Sequence, residues 1–193
     1  MELKKEIKQA YKELSNFFKI KLPIRVFIVS NIINLNYKQK RKWFGVGFFR
    51  KNTVVVIHKK LFPKLRHKKE EFKGVVMHEM AHIFIKETIK KNIPIWIEEG
   101  VAQWLSFPKV SKKKIKKISL KKLKTLEDWY KYDTPFIYCS NFFHYLENKY
   151  GREKIYKFLV ALNKKNMSKA FRDVFKIKLE DCEKEYRKNE KIV

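Results

Sequence analysis

Residues 75–84, with the sequence VVMHEMAHIF, place two histidines four positions apart inside an apolar stretch. The surrounding residues 68–88 have helical character and contain no proline. Positions i and i+4 of a helix lie on one face, so His78 and His82 can coordinate the same ion. Glu79 lies about 100° round the axis, close to such an ion without competing as a ligand. The stretch therefore predicts a helix that carries either a metal site or two ordinary core histidines.

A zinc site in a hydrolase has three protein ligands and one open position, so a third ligand must come from elsewhere. Residues 96–104, WIEEGVAQW, belong to a second predicted helix, and Pro94 suits its first turn. At 1.5 Å per residue and with a short connection, Glu99 returns nearly level with His82. The spacing thus permits a carboxylate ligand and favours it over the remaining histidines, His58, His67 and His144.

The pattern along the chain predicts an α+β fold in a single domain over residues 1–193. An amphipathic N-terminal helix precedes a strand in KLPIRVFIVS and a hairpin in GVGFFRKNTVVVIHKK. The C-terminal part is predicted to be helical, with Gly151 ending one helix and further helices in REKIYKFLVALNKKN and LEDCEKEYRKNEKI. We expect an N-lobe of about 1–92 with a small mixed sheet, and a helical C-lobe of about 93–193.

The formal net charge of +27 makes nucleic acid, an anionic membrane and acidic proteins candidate partners. Of the 47 basic residues, however, 40 are lysine and only 7 are arginine, which is the better reader of phosphates and bases. The densest run, SKKKIKKISLKKLK at 111–124, also carries the apolar residues Ile115, Ile118, Leu120 and Leu123 and could be a solvated amphipathic segment as easily as a nucleic-acid patch. We therefore expect weak, non-specific nucleic-acid binding at most.

Two cysteines, Cys139 and Cys182, are far apart and lack metal-ligand spacing. A disulfide scaffold is not expected, and a reducing cytoplasm is the default location. The first residues, MELKKEIKQAYKELSNFF, lack the apolar core of a signal peptide. No apolar run reaches the ~18 residues that a membrane span requires.

The two motifs together resemble the gluzincin metallopeptidases, the group that includes thermolysin and the aminopeptidases, and in particular the peptidase MA-like proteins. HEMAH is followed, after 16 intervening residues, by the second glutamate of WIEEGVA. The resemblance implies a gluzincin catalytic domain with one zinc ion per chain, bound by His78, His82 and Glu99. It implies that Glu79 is the general base and that a zinc-bound water is the nucleophile. It also extends to GFFRKNTVVVIH, where Gly47, Phe48 and Phe49 would form the substrate-binding edge strand.

Two further roles follow from the resemblance. Gln103 takes the place of an aspartate that orients a zinc histidine in thermolysin, and it would accept the same imidazole N–H without a negative charge. Gluzincins commonly stabilise the oxyanion with a tyrosine or histidine. Tyr138 is the candidate here, with Tyr130, Tyr132 and His144 as alternatives.

The expected function is zinc-dependent hydrolysis of peptide bonds in a peptide or protein substrate. The aminopeptidases carry acidic and glycine-rich elements for a free amine that this sequence lacks, so general peptidase activity fits better than N-terminal trimming. Two alternatives stay open: a zinc-bearing module without catalysis, and a nucleic-acid-associated protein that exploits the positive charge.

Overall fold

The computed structural model describes residues 2–30, 47–65, 67–107, 118–132 and 134–189, with only the backbone described at Gly47 and Phe48. The fold is mixed α+β and mostly helical, as the sequence predicts. It comprises two compact units, residues 1–84 and 85–193, with the division inside one helix. The predicted lobe boundary at residue 92 lies in the second unit. No described helix is both long and apolar enough to cross a membrane.

The first unit contains helix α1 (Glu2–Phe18), three short strands and most of helix α2 (Phe72–Thr88). The strands are β1 (Arg25–Val29), β2 (Gly47–Arg50) and β3 (Thr53–Ile57), in the spatial order β1-β3-β2. β1 runs parallel to β3, whereas β2 and β3 form the predicted antiparallel hairpin, with Phe48 opposite Val55. The sheet is therefore mixed, and among the described strands β2 lies at an edge.

One face of α1 carries apolar residues at helical spacing, and this face packs in the core of the first unit. Ala10, Leu14 and Phe18 have no exposed surface. The Phe18 ring stacks on the ring of Phe84 from α2, with centroids 5.5 Å apart. Two residues of β3, Val54 and Val56, are also fully buried. These contacts confirm the amphipathic helix that the sequence predicts.

In its described residues, the second unit begins with the end of α2 and continues through a 3-10 turn, Leu120–Lys122, and six α-helices. They are α3 (Ile95–Ser106), α4 (Leu126–Tyr130), α5 (Pro135–Tyr150), α6 (Arg152–Ala161), α7 (Met167–Phe175) and α8 (Leu179–Asn189). Gly151, with φ of 84°, ends α5 as predicted. The short helix α4 was not predicted. α7 follows its N-cap residue Asn166, which is the last residue of the stretch predicted as one helix from Arg152, and the Asn166 side chain accepts a hydrogen bond from the Lys169 amide.

Gly100 allows α3 to pack very closely against α5. A Cβ atom at this position would meet Cε2 of Phe143 at 2.8 Å and Cβ of Cys139 at 3.0 Å. The first distance is shorter than real Cβ contacts, and the second is tight at an atom that moves only with the α5 backbone. The Phe143 ring also stacks on Trp96 and Trp104 from α3, with centroids 5.8 and 6.1 Å apart. The missing side chain of Gly100 therefore sets the separation of the two helices.

A buried polar network joins the segment Ile118–Leu123 to α5 and α8. Arg187 Nη2 donates to Glu183 Oε1 at 2.6 Å and to the carbonyl oxygen of Ile118 at 2.6 Å. The Tyr138 hydroxyl donates to Glu183 Oε1 at 2.9 Å and accepts from Arg187 Nε at 2.9 Å. The Leu120 amide donates to the same carboxylate oxygen at 3.0 Å. Burial, together with the nearby Glu183 carboxylate, raises the pKa of Tyr138 well above its usual range.

The segment held by this network is the C-terminal part of the lysine-rich run 111–124. Residues 111–117, including Ile115, lie outside the described ranges. The apolar side chains that follow, Ile118, Leu120 and Leu123, are buried. The neighbouring Lys121, Lys122 and Lys124 are exposed, and the interpretation of the run as a whole stays a prediction.

We predict that Gly100→Ala destabilises the protein although alanine is the better helix former. The helix gain is about 1 kcal/mol. Overpacking costs about 1–3 kcal/mol, so the free energy of unfolding should fall by about 1 kcal/mol in urea denaturation. A double-mutant cycle with Phe143→Leu should recover part of the loss, because it removes the closest ring atom. Equal or greater stability of Gly100→Ala would show that the helices can separate without cost.

A second prediction concerns the buried network. Tyr138→Phe removes a hydroxyl that bonds to two charged groups, so we expect the free energy of unfolding to fall by about 1.5–3 kcal/mol. Tyr145→Phe is the matched control: its hydroxyl donates to Glu185 at 3.1 Å, but that carboxylate is solvent-accessible and also pairs with Lys149. The control should lose about 0.5 kcal/mol. A larger loss for Tyr145→Phe would contradict this assignment.

Candidate metal centre

The two histidines of the candidate site lie on α2, which is buried along most of its length. Val76, Met80 and Phe84 are among its residues with no more than 1% exposure. His82 is buried with them at 4% exposure, and His78 is half-buried. One helical turn separates the rings, and their Nε2 atoms approach to 3.2 Å. The spacing that the sequence predicts therefore brings two imidazole nitrogens to one point.

The edge strand β2 contacts one of these histidines directly. The Phe49 ring stacks on the His82 ring, with centroids 4.9 Å apart and planes 14° from parallel. The His78 ring meets His82 edge-on at the same centroid distance. His82 is thus held between an aromatic ring and its helical neighbour. The sequence assigned Phe49 only to the substrate edge, with no signal for contact with a histidine, and the substrate role of Gly47, Phe48 and Phe49 stays a prediction.

The third predicted ligand joins this pair. His78, His82 and Glu99 each offer one ligand atom, and the three atoms lie within 4.8 Å of one another. Among the residues that the structure describes, these three side chains form the group whose ligand atoms lie close enough together to hold a metal ion. Glu99 lies on α3 and is half-buried. Its neighbour Glu98 has a carboxylate oxygen 3.9 Å from Lys86 Nζ.

Two other predicted site residues occupy the expected helical positions. Glu79 follows His78 on α2 and is half-buried. Gln103 lies one turn after Glu99 on α3 and is also half-buried. The roles of these side chains, as general base and as an acceptor for an imidazole N–H, stay predictions.

Tyr138 does not fit the predicted role of oxyanion donor. Its side chain has no exposed surface, and its hydroxyl is engaged by Glu183 and Arg187. An oxyanion donor must touch the substrate, which a fully enclosed hydroxyl cannot do. The sequence offered nine tyrosines and could not show that α8 would bring a charged pair to this one.

The alternatives to Tyr138 differ in access. Tyr130 is 79% exposed, and Tyr132 is partly exposed. His144 is 6% exposed, with Nε2 3.2 Å from the carbonyl oxygen of Phe107. Burial lowers the pKa of His144, so the ring is kept neutral more readily than in water. By access alone, the two tyrosines are the stronger candidates.

The cysteines belong to the packed interior. Burial raises the pKa of the Cys139 thiol well above its usual range, and the carboxylates of Glu183 and Glu99 act in the same direction. Burial likewise raises the pKa of Cys182 to about 12. Both are free thiols with no exposed surface. Neither is available as a nucleophile, because the reactive form is the exposed thiolate.

The donor set fits zinc. Two nitrogens bound at 2.0–2.1 Å to a tetrahedral ion lie about 3.3 Å apart. The observed separation of the His78 and His82 Nε2 atoms is 3.2 Å. Two imidazoles and one carboxylate suit zinc better than magnesium or calcium, which prefer oxygen ligands. A set of three protein ligands would also leave a fourth position open, as in catalytic zinc sites.

Comparison with known proteins places these elements in a family. Searches against curated proteins and against solved structures returned no match. Residues 53–186 match the family BSP, described as "Peptidase of plants and bacteria". The match extends from β3 to α8 and includes both motif helices. Because it covers more than two thirds of the 193 residues, the chain belongs to the BSP family of plant and bacterial peptidases.

Proposed function

We propose that this chain is a zinc-dependent metallopeptidase of the gluzincin type, with His78, His82 and Glu99 as the zinc ligands. The observation that carries the proposal is the convergence of three ligand atoms within 4.8 Å in a chain of a peptidase family. Bound zinc would supply a Lewis acid that polarises the substrate carbonyl and lowers the pKa of a water molecule. Substrates would be peptides or proteins.

The ligands differ in what they contribute. The two histidines come from one rigid helix, so their relative position needs no loop to define it. Glu99 adds a negative charge, which leaves a site with one zinc ion at net +1. The contact with Phe49 limits rotation of the His82 ring and so keeps its Nε2 directed at the site. Gln103 would accept the N–H of an imidazole ligand and fix its tautomer.

Glu79 performs the proton transfers in this proposal. Its carboxylate takes a proton from water as the water oxygen attacks the peptide carbonyl carbon. It then delivers that proton to the leaving nitrogen as the C–N bond breaks. The position supports this role, because Glu79 is on the same helix turn as His78 but about 100° away from it. An exposed tyrosine, Tyr130 or Tyr132, is the proposed second donor to the oxyanion.

The first test is metal content together with casein hydrolysis. The purified protein should bind about one zinc ion per chain, lose hydrolysis in a chelator and regain it when zinc is restored. Protein that takes up no zinc would exclude the proposed ligand set. Zinc binding without hydrolysis of any peptide would favour the non-catalytic module.

Replacement of the general base separates catalysis from metal binding. Glu79→Gln should keep full zinc occupancy, because the side chain is not a ligand. Turnover should fall by about 10²–10⁴-fold, the range for loss of a general base. Tyr138→Phe is the companion variant and should keep turnover near wild type, because its hydroxyl faces the interior. Wild-type turnover of Glu79→Gln would rule out the proposed mechanism.

The glutamate pair on α3 offers a matched test of the third ligand. Glu99→Ala leaves only two histidines on the ion, so zinc affinity should collapse and activity with it. Glu98→Ala removes the same group one residue earlier, where it faces Lys86 instead. Its zinc content, measured by elemental analysis, should stay near wild type. The reverse result would move the ligand assignment to Glu98.

A further inference from the structure

The residues of α1 fall into three sectors around the helix axis, each with its own residue type. At about 100° per residue, the buried residues fall in one sector of the helix. The acidic residues Glu2, Glu6 and Glu13 fall within about 40° of each other in a second sector. A third sector, about 100° wide, holds four exposed lysines: Lys4, Lys5, Lys8 and Lys12. We call these four residues the lysine face.

The acidic sector is neutralised by lysines from outside the helix. Lys59 Nζ lies 2.8 Å from Glu2 and 2.9 Å from Glu6. Lys73 Nζ lies 2.7 Å from Glu13. These pairs draw the carboxylates of α1 away from the lysine face. Within the described ranges, none of its four lysines has an ion pair.

Several lysines of the second unit, in contrast, are balanced by a neighbouring carboxylate. Examples are the pairs Lys131–Asp128, Lys165–Asp173, Lys184–Asp181, Lys149–Glu185 and Lys121–Glu180. The lysine face instead concentrates four positive charges along about 12 Å of helix. Such a surface attracts a ligand with closely spaced negative charges.

We propose that the lysine face binds the phosphate backbone of double-stranded nucleic acid, without regard to sequence. Duplex DNA carries one negative charge per about 1.7 Å of its axis, a density that suits a row of lysines. Lysine binds a phosphate as a point charge and lacks the planar fork of arginine, so sequence readout is not expected. A membrane is less suitable, because helices that lie in its interface insert an apolar face. The apolar residues of α1 are buried in the core instead.

Binding through this face is independent of the proposed peptidase site. α1 lies outside the matched residues 53–186, and none of its lysines is a proposed ligand or base. The binding would bring the protein to nucleic acid and to proteins bound there. It depends on counterion release, so it should weaken strongly between about 50 and 200 mM salt.

The test compares two variants of the full chain that lose the same charge. In the first, all four lysines of the face are changed to glutamine. In the second, four exposed lysines that are dispersed over the second unit are changed in the same way: Lys157, Lys164, Lys169 and Lys188. Affinity for a fluorescein-labelled DNA duplex of arbitrary sequence is measured by anisotropy over a salt series. Thermal unfolding confirms that both variants are folded.

The face variant should bind at least about tenfold more weakly at low salt, and its salt slope should fall by up to about 3.6, from four contacts at about 0.9 each. The dispersed variant should keep a slope within about 1 of wild type. Equal loss in both variants would show that total charge, and not the lysine face, drives binding. Unchanged binding by the face variant overturns the proposal. The proposal is also overturned if the face variant loses binding to phosphatidylserine vesicles while its DNA affinity stays at the wild-type value.

Discussion

The candidate centre depends on two imidazole rings held 3.2 Å apart inside a buried helix. At this distance the two nitrogens cannot both act as acceptors toward each other, so a proton or a cation must lie between them. The residues around α2 are mostly apolar, and buried polar atoms are costly unless they are bonded. The imidazole nitrogens therefore favour a bonding partner within the site itself. Glu99 brings the opposite charge that a cation needs in this setting. Burial and helical spacing together therefore explain why the site is suited to a metal ion.

The helix that carries Glu99 is positioned by packing in its own unit. Gly100, next to Glu99, lets α3 approach α5 until there is no room for a methyl group. Aromatic rings of Trp96, Trp104 and Phe143 fill the same interface. The Tyr138–Glu183–Arg187 network then secures α5 to α8 from within. The polar residues of this unit thus stabilise the helix behind the ligand, which explains why Tyr138 is structural.

The large positive charge has an uneven distribution on the described surface. In several places a lysine and a carboxylate pair locally, and such exposed pairs add little stability. On α1 the carboxylates are instead engaged by Lys59 and Lys73. The consequence is a separate cationic sector that composition alone does not reveal. A chain can therefore have a compositional excess of lysine and still concentrate part of it on one surface.

Local patterns were sufficient for much of the fold. Apolar residues at helical spacing predicted α1, β-forming runs around RKNT predicted the β2–β3 hairpin, and Gly151 marked the end of α5. The short helix α4 was missed, although its capping box of Thr125 and Asp128 is a local signal. With only five residues, the helix is too short to show a sustained apolar period.

The sequence by itself determined the chemistry of the candidate centre: two histidines one turn apart, a glutamate beside them, and a second glutamate at a distance that a returning helix can span. Helical periodicity is a local property, so it can be read from spacing. Only the tertiary structure decided that Phe49 stacks on His82, that Tyr138 is enclosed by a charged pair, and that Lys59 and Lys73 engage the carboxylates of α1. These outcomes depend on residues far apart in the chain meeting in the folded state, and local spacing carries no information about such meetings.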